Sequence, residues 1–325
     1  MRHEFSELGD ACLGGRSVCH RAMLSVGCVA TFGAMNDWEL WLLRAVWLVL
    51  PFTAGPAFTE ALRDTERSFR IGTSVALWVV WAAMTIALMV PRTETLTAMR
   101  VIVPASLIAF VWAALDAGGS LSTTGAIIGA GSVAIVVALS FRASVSDLFV
   151  DGSSYGDESR FLLRTPGPLL LGPIFIVWAL AVGGVITGPL LLLGQVWVLG
   201  GVATVIGAPL AAWSITALHR LSRRWLVFVP AGLVVHDKTA LREPQLFSKN
   251  DIARFGAAPA DTTLEDLSLD ALGLALRVEL TGASKVMRNG RDPTIELTDI
   301  DGFIVMPNRP GAVLREAAER GLTIG

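Results

Sequence analysis

The chain has 325 residues, of which 53% are hydrophobic and 17% charged, and its formal net charge is -2. Soluble domains carry about 25% charged residues, so this balance and a mean hydropathy of +0.60 argue against an ordinary soluble protein and indicate a membrane protein. The chain also lacks the basic field that recruits nucleic acid, so nucleic acid is not expected as a partner. The lipid bilayer is the first expected partner.

The first 36 residues are predicted to form a poorly ordered N-terminal tail. Its apolar stretch, Ala22 to Ala34, is too short to cross a bilayer. Two interpretations stay open, a signal peptide or a mis-assigned start with translation beginning at Met35. All three cysteines lie in this tail, at Cys12, Cys19 and Cys28. Neither a disulfide nor a thiolate metal site is therefore expected in the rest of the chain.

Residues 37–222 are predicted to form a transmembrane domain of six α-helical spans, because a helix needs about 20 apolar residues to cross a bilayer. The first four spans are expected at Leu40 to Thr59, Ile71 to Val90, Val101 to Leu115 and Leu121 to Phe141. Thr165 to Leu218 holds no charged residue and is long enough for two more. Their break is expected near three residues, Gly188, Pro189 and Gly194.

Glycines inside the spans predict close helix packing. Gly125 and Gly129 form a GxxxG pair in the fourth span, and Gly184 and Gly188 form another in the fifth. Small residues at this spacing let two helix backbones approach closely. A dinucleotide-binding loop is the alternative for the first pair, but such a loop follows a strand. Helix packing is therefore the prediction for all four.

The arginines of the short linkers predict the orientation of the spans. Two regions are rich in arginine, the linker after the fourth span and the end of the sixth, with Arg142, Arg160, Arg164, Arg220, Arg223 and Arg224. We expect both regions, and both termini, to lie in the cytoplasm of a multi-pass protein of the cell membrane. Three arginines after the first span disagree, Arg63, Arg67 and Arg70. Whether the first span crosses the membrane therefore stays open.

The linker between the fourth and fifth spans, Ser146 to Pro168, is the most distinctive polar stretch. Its candidate interaction residues are Asp151, Tyr155, Asp157, Glu158, Arg160 and Arg164. Two interpretations stay open, a docking loop that pairs with the C-terminal domain or an ordinary solvated connector. The carboxylates do not follow the spacing of a known cation-binding loop, so no metal site is predicted.

After Trp225 the sequence changes to short alternating apolar runs separated by turn residues, which is typical of strands. Residues 223–325 are predicted to form a small α+β domain of seven strands and a closing helix. The strands are expected at Trp225 to Val229, Leu233 to His236, Pro244 to Phe247, Ile252 to Phe255, Leu274 to Leu280, Thr294 to Leu297 and Phe303 to Met306. The helix is expected at Arg309 to Gly321, with Asn308 as its cap and Gly321 as its stop.

Three stretches of this domain resemble the bacterial pleckstrin-homology-like domains that are attached to membrane spans. They are the first hairpin, the third and fourth strands, and the last strand with its helix, at Arg223 to Asp237, Phe247 to Phe255 and Gly302 to Gly321. The resemblance implies a seven-stranded, partly open barrel capped by a helix, without a settled activity. The near absence of lysine is typical of high-GC, actinobacterial-type genomes. Residues 225–325 hold 11 Lys and Arg against 14 Asp and Glu, and the first hairpin loop is uncharged, so phosphoinositide binding there is not expected.

No catalytic set is recognisable in the sequence. The four histidines are isolated, and neither a P-loop nor an HExxH motif occurs, so an enzyme, a cofactor and a metal are not expected. The prediction is a non-enzymatic scaffold or interaction protein that presents its C-terminal domain to a protein partner, and a homo-oligomer stays open. The alternative is a transporter or permease for a neutral or hydrophobic solute, with the C-terminal domain regulating it.

Overall fold

The computed structural model of the chain describes residues 38–289 and 297–325, so the predicted N-terminal tail lies outside the described residues. The described helices are α1 (Trp38–Ala61), α2 (Arg67–Met89), α3 (Thr93–Ala117), α4 (Thr123–Ser140), α5 (Ala143–Asp151), α6 (Gly167–Leu170), α7 (Pro173–Leu193), α8 (Trp197–Ser222) and α9 (Pro310–Glu319). The described strands are β1 (Ser159–Leu162), β2 (Trp225–Val229), β3 (Gly232–His236), β4 (Gln245–Ser248), β5 (Ile252–Ala257), β6 (Glu265–Asp266), β7 (Leu276–Met287) and β8 (Leu297–Val305).

Six of these helices are long and apolar enough to cross a membrane, namely α1, α2, α3, α4, α7 and α8. The sequence predicts the same number in the same order. The break between the last two falls between Leu193 and Trp197, where Gln195 has a φ of 62°. Pro189 lies within α7. The chain therefore turns at the last of the three residues suggested by the sequence, Gly194.

Contacts between connections define two ends of the helix bundle. At one end, the Gln195 amide between α7 and α8 donates to Glu66 before α2, at 2.8 Å. At the other end, Arg142 before α5 pairs with Glu39 of α1 at 2.8 Å. The two four-stranded sheets lie at this second end, which we call the sheet end.

The strands form two sheets with the orders β1-β2-β3-β4 and β5-β7-β8-β6. Neighbours are antiparallel except β6 and β8. The turn of the β2–β3 hairpin leads into Gly232, the first residue of β3, where φ is +153° and a Cβ atom would lie 2.1 Å from the carbonyl oxygen of Phe247. Because L-residues avoid this φ and the backbone leaves no space, the turn requires glycine.

Of the two strands that the sequence predicts near the end of the domain, Thr294 to Leu297 lies outside the described residues except at Leu297 itself, and Phe303 to Met306 falls on the end of β8. Within the described residues, β8 runs without a break from Leu297 through Ile300 to Val305. Ile300 is buried between two exposed aspartates, Asp299 and Asp301. Alternation of side chains on a strand places those aspartates on the solvent face, so the acidic stretch continues the strand instead of ending it.

The predicted cap of the closing helix is wrong. Helix α9 begins at Pro310, and Arg309 occupies the N-cap position without a side-chain capping bond. Asn308 instead donates its backbone N–H to the carbonyl oxygen of Leu162 at 2.9 Å. Asn308, two residues before the helix, is therefore paired with the linker through its backbone.

The first sheet separates two apolar cores. Trp225 and Val227 of β2 pack into a core shared with α1, α3, α4 and α5. Leu226 and Phe228, on the opposite face of the same strand, pack into the core between the two sheets. Because alternate residues of a strand point to opposite faces, the first sheet packs against the helix bundle with one face and against the second sheet with the other.

Candidate functional site

Strand β1 lies in the linker and pairs with β2, the first strand after α8. The antiparallel register places Arg160 opposite Val227 and Leu162 opposite Trp225. Helices α7 and α8 therefore form a helical hairpin inserted between two neighbouring strands. Since both ends of this hairpin are held in one sheet, the linker and the C-terminal segment lie at the same end of the bundle.

The linker also contacts the second sheet. Leu163 forms an antiparallel bridge with Pro307, just after β8. The N–H of Arg164 donates to the carbonyl oxygen of Met306 at 2.8 Å. The domain formed by the two sheets thus includes a piece of the linker in addition to its predicted segment, residues 223–325.

Helix α5 supplies two carboxylates to the outer edge of β1. Asp151 Oδ1 accepts the N–H of Arg160 at 2.9 Å, and Asp147 Oδ1 accepts the N–H of Leu162 at 3.1 Å. Four helical residues rise by about 6 Å and two strand residues by about 6.6 Å, so the spacings match. An open strand edge is a template for unwanted pairing, and the two aspartates close this one.

Asp147 is buried, and its Oδ2 atom has no hydrogen-bond partner among the described residues. Arg309 Nη1, at the start of α9, lies 3.9 Å from that atom. Burial raises the pKa of Asp147 to about 7, although the N–H of Leu162 and the charges of Arg309 and Arg100 oppose the rise. Burial also raises the pKa of Asp151. Asp147 therefore lies where α5, β1 and the start of α9 meet, which we call the junction, and its charge changes near neutral pH.

The other candidate residues of the linker lie farther from α5. Tyr155 is exposed at the turn before β1. The backbone oxygen of Asp157 accepts a hydrogen bond from Arg320 Nη2 at 2.6 Å, whereas Glu158 pairs with Arg160 at 2.9 Å. The structure thus brings the charged residues onto the domain and leaves the tyrosine in solvent.

Sequence reasoning misses the most buried charged pair, Arg224 and Asp237. Their side chains are 1% and 0% exposed, and Arg224 Nη2 lies 2.6 Å from Asp237 Oδ2. Arg224 Nη1 also donates to the carbonyl oxygen of Arg164 at 2.7 Å, which ties the linker to the pair. The predicted β2–β3 hairpin contains the missing signal, because pairing Trp225 with His236 places the two charged residues opposite each other.

The glycines of the α7–α8 hairpin lie at close helix contacts. A Cβ atom at Gly184 would lie 2.5 Å from the carbonyl oxygen of Gly207. One at Gly188 would lie 2.2 Å from Thr204 Oγ1. Both distances are shorter than real Cβ contacts, so the backbones of α7 and α8 approach too closely for larger residues.

The two glycines of α4 differ from each other. A Cβ atom at Gly129 would lie 2.7 Å from the ring of Phe110 in α3. At Gly125 the nearest atoms belong to Ser122 and Leu121 at the start of the same helix. A neighbouring helix therefore requires glycine at Gly129, whereas none of the atoms near Gly125 belongs to a neighbouring helix.

Comparison of the chain with protein-family models, with curated protein sequences and with solved structures found no match. The resemblance to pleckstrin-homology-like domains therefore stays a prediction. Across residues 38–289 and 297–325, no group of three or more His, Cys, Asp or Glu side chains is placed to hold a metal ion.

Proposed function

We propose that the protein is a multi-pass membrane protein that holds a two-sheet interaction domain against the cytoplasmic face of the bilayer, and that it acts as a non-enzymatic scaffold for a protein partner. One observation carries this proposal, the pairing of β1 with β2 across the α7–α8 hairpin. This pairing attaches the domain to the helices at both ends of the hairpin. A domain attached in this way keeps a fixed position, which suits presentation of a binding surface.

Exposed apolar side chains support insertion of the six long helices into a membrane. Large apolar residues such as Phe52, Leu115 and Val198 are largely exposed on the surfaces of these helices. Soluble monomers rarely expose apolar patches of more than a few hundred Å². Lipid is the environment in which such a surface is stable.

Arginines at the sheet end support a cytoplasmic domain. Arg92, Arg142 and Arg223 lie in short connections at that end. Of the arginines at the opposite end, Arg63 pairs with Glu60 at 2.6 Å. Acidic residues count little in this rule, so the pairing with Glu60 does not cancel Arg63. The arginines at the opposite end therefore weaken the preference for a cytoplasmic sheet end without removing it.

A pleckstrin-homology-like identity for the domain is part of the proposal. Its support is the β2–β3 hairpin at the start, the two four-stranded sheets and the single helix, α9, after the last strand. The surface we assign to a partner is the outer face of the second sheet, because β1, β2 and β3 of the first sheet pack against apolar cores on both faces. Lys285, Asp299 and Asp301 are exposed on that sheet, which favours a polar protein surface as the partner.

The second candidate function, transport of a neutral or hydrophobic solute, is favoured by one observation. An open groove of about 480 Å³ lies between α1 and α4. Its lining residues are Ala45, Val46, Val49, Thr53, Ile128, Gly131, Ser132 and Ile135. An apolar groove of this size suits a hydrophobic molecule. The contact between α7 and α8 at Gly188 leaves no comparable space, so a solute path between those two helices is not supported.

Cysteine labelling of intact cells tests the placement of the domain. Single cysteines replace Gly119 between α3 and α4, Tyr155 in the linker and Gly282 in β7, in a chain whose native cysteines are changed to serine. A Cβ atom at Gly119 or Gly282 meets no described atom within 4 Å, so both positions tolerate a side chain. We expect a membrane-impermeant maleimide to label Gly119→Cys in intact cells, and all three variants after permeabilisation. Labelling of Gly282→Cys or Tyr155→Cys in intact cells would place the domain outside and overturn the cytoplasmic scaffold.

A further inference from the structure

The loop between β6 and β7, residues 267–275, exposes two leucines on a fixed backbone. Leu272 is 64% exposed and Leu274 is 53% exposed, whereas Leu267 and Ala271 of the same loop are buried. The buried pair anchors the loop in the domain. The exposed pair is therefore held outward without being part of the core.

Hydrogen bonds and backbone conformation hold this loop in one shape. The two carboxylate oxygens of Asp266 accept the N–H groups of Ser268 at 2.7 Å and Asp270 at 3.1 Å. Leu269 and Asp270 have φ values of 60° and 56°, which residues other than glycine seldom adopt. Such strain persists where the surrounding structure enforces it, and it is frequent at binding sites.

The loop lies beside the start of α6. Arg164 Nη1 donates to the carbonyl oxygen of Leu272 at 2.8 Å. A Cβ atom at Gly167 would lie 2.3 Å from the carbonyl oxygen of Asp270 and 4.0 Å from Leu272 Cγ. Leu272 is therefore at the same level along the bundle as the first residues of α6.

This level corresponds to the surface of the proposed bilayer. The charge-free segment begins at Thr165, directly after Arg164, and α7 begins within it at Pro173. An arginine next to a long apolar segment places its charge among the lipid headgroups. Leu170 and Leu171, between the arginine and α7, are exposed as well. The apolar surface of α7 thus continues toward the leucines of the loop.

We propose that the loop of residues 267–275 inserts Leu272 and Leu274 into the headgroup boundary of the bilayer, so that the domain itself binds the lipid surface. This inference rests on the membrane insertion proposed above. Apolar side chains at that depth bind through the area they remove from water. Because both side chains are uncharged, binding does not require anionic lipid, and phosphatidylcholine suffices.

The test measures contact between lipid and a fluorophore on the loop. The full chain, with its native cysteines changed to serine, carries NBD on Leu272→Cys in phosphatidylcholine nanodiscs that contain lipid with a doxyl quencher near the headgroup. Arg164 binds the backbone oxygen of residue 272, so the substitution keeps that contact. We expect a blue-shifted emission and loss of most of it to the quencher.

A matched control is Leu297→Cys. Leu297 is similarly exposed, at 57%, but it pairs with Met287 at the opposite end of β7 from Leu276. Eleven residues along a strand separate the two ends by roughly 30 Å or more. NBD at Leu297→Cys is expected to stay unquenched, and equal quenching at both positions would overturn the proposal.

NBD on Val205→Cys, an exposed position within α8, separates the loop proposal from membrane insertion itself. Quenching at Val205→Cys without quenching at Leu272→Cys would overturn lipid binding by the loop and leave the spans in the membrane. Absence of quenching at both would overturn membrane insertion, and the loop proposal with it. Quenching at both, with none at Leu297→Cys, is the expected result.

Discussion

Replacing Arg224 with methionine is expected to destabilise the full chain by about 3 to 5 kcal/mol, because a buried charge that loses its partner is strongly unfavourable. Arg224 and Asp237 are buried, and two bonds from the guanidinium, at 2.6 and 2.8 Å, reach the same carboxylate oxygen. The substitution also removes the bond to the carbonyl oxygen of Arg164. Denaturant and thermal unfolding in detergent should therefore show an earlier transition.

Two variants make the test of this ion pair specific. Arg223→Met changes an exposed neighbour and is expected to alter stability by no more than about 0.5 kcal/mol. The double variant Arg224→Met/Asp237→Leu removes both charges and should recover much of the loss, since an apolar pair can replace a buried ion pair. A wild-type transition for Arg224→Met would show that the pair does not hold the linker on the domain.

Replacing Asp147 with asparagine is expected to stabilise the chain above pH 7 and to have little effect near pH 4. The pKa of Asp147, about 7 in the folded chain, lies above the value of about 3.9 in an unfolded chain. The folded state therefore binds the proton more tightly between these values, and wild-type stability falls as pH rises through that window. Within that window the free energy of unfolding falls by about 1.4 kcal/mol per pH unit, and the total loss of stability reaches at most about 4 kcal/mol above pH 7.

The measurement is the unfolding midpoint of the purified chain between pH 4 and 8. Asparagine keeps an oxygen that accepts the N–H of Leu162, so the edge of β1 stays closed. Asp157→Asn, an exposed change in the same linker, should retain the wild-type dependence on pH. If the unfolding midpoint of Asp147→Asn changed with pH as steeply as that of the wild type, the account of a buried carboxyl at this junction would be contradicted.

The six long helices could be predicted from the sequence because each must satisfy its backbone hydrogen bonds internally. An apolar run such as Ile71 to Val90 therefore contains nearly all the information needed. The same holds for the β2–β3 hairpin, whose strands are separated by two residues. The long helices and this hairpin can be predicted because the residues that pair within them are close together in the sequence.

Strand β1 could not be predicted because its partner lies far away in the sequence. Ser159 to Leu162 is four residues long, and Leu162 pairs with Trp225 on the other side of the α7–α8 hairpin. Such a short stretch of mixed polarity becomes a strand through tertiary pairing, not through its own propensity. The linker could be singled out by its charges, but its role as the edge of a sheet could not.

The buried charges show a second limit. Aspartate and arginine are mostly exposed in proteins, so composition alone places Asp147 and Arg224 on the surface. Their burial depends on segments distant in sequence. Asp147 lies beside Arg309 at the start of α9, and Arg224 contacts the linker. Only a strand register, which the sequence gives for β2 and β3, could have paired Arg224 with Asp237.

A disulfide between β1 and β2 tests the central claim most directly. Arg160→Cys and Val227→Cys are opposite each other, and the N–H of Arg160 points to Asp151, so this is a non-hydrogen-bonded pair. Cα atoms of such pairs lie about 4.5 Å apart, which a disulfide can bridge.

In the cysteine-free chain, a protease site after Gln195 cuts between α7 and α8, so that only the new disulfide joins the two parts. Arg160→Cys combined with Leu297→Cys, at the far end of β8, serves as the control and should release two fragments. For Arg160→Cys/Val227→Cys we predict one band without reductant and two with it. Two fragments without reductant would contradict the pairing that attaches the domain to the helices.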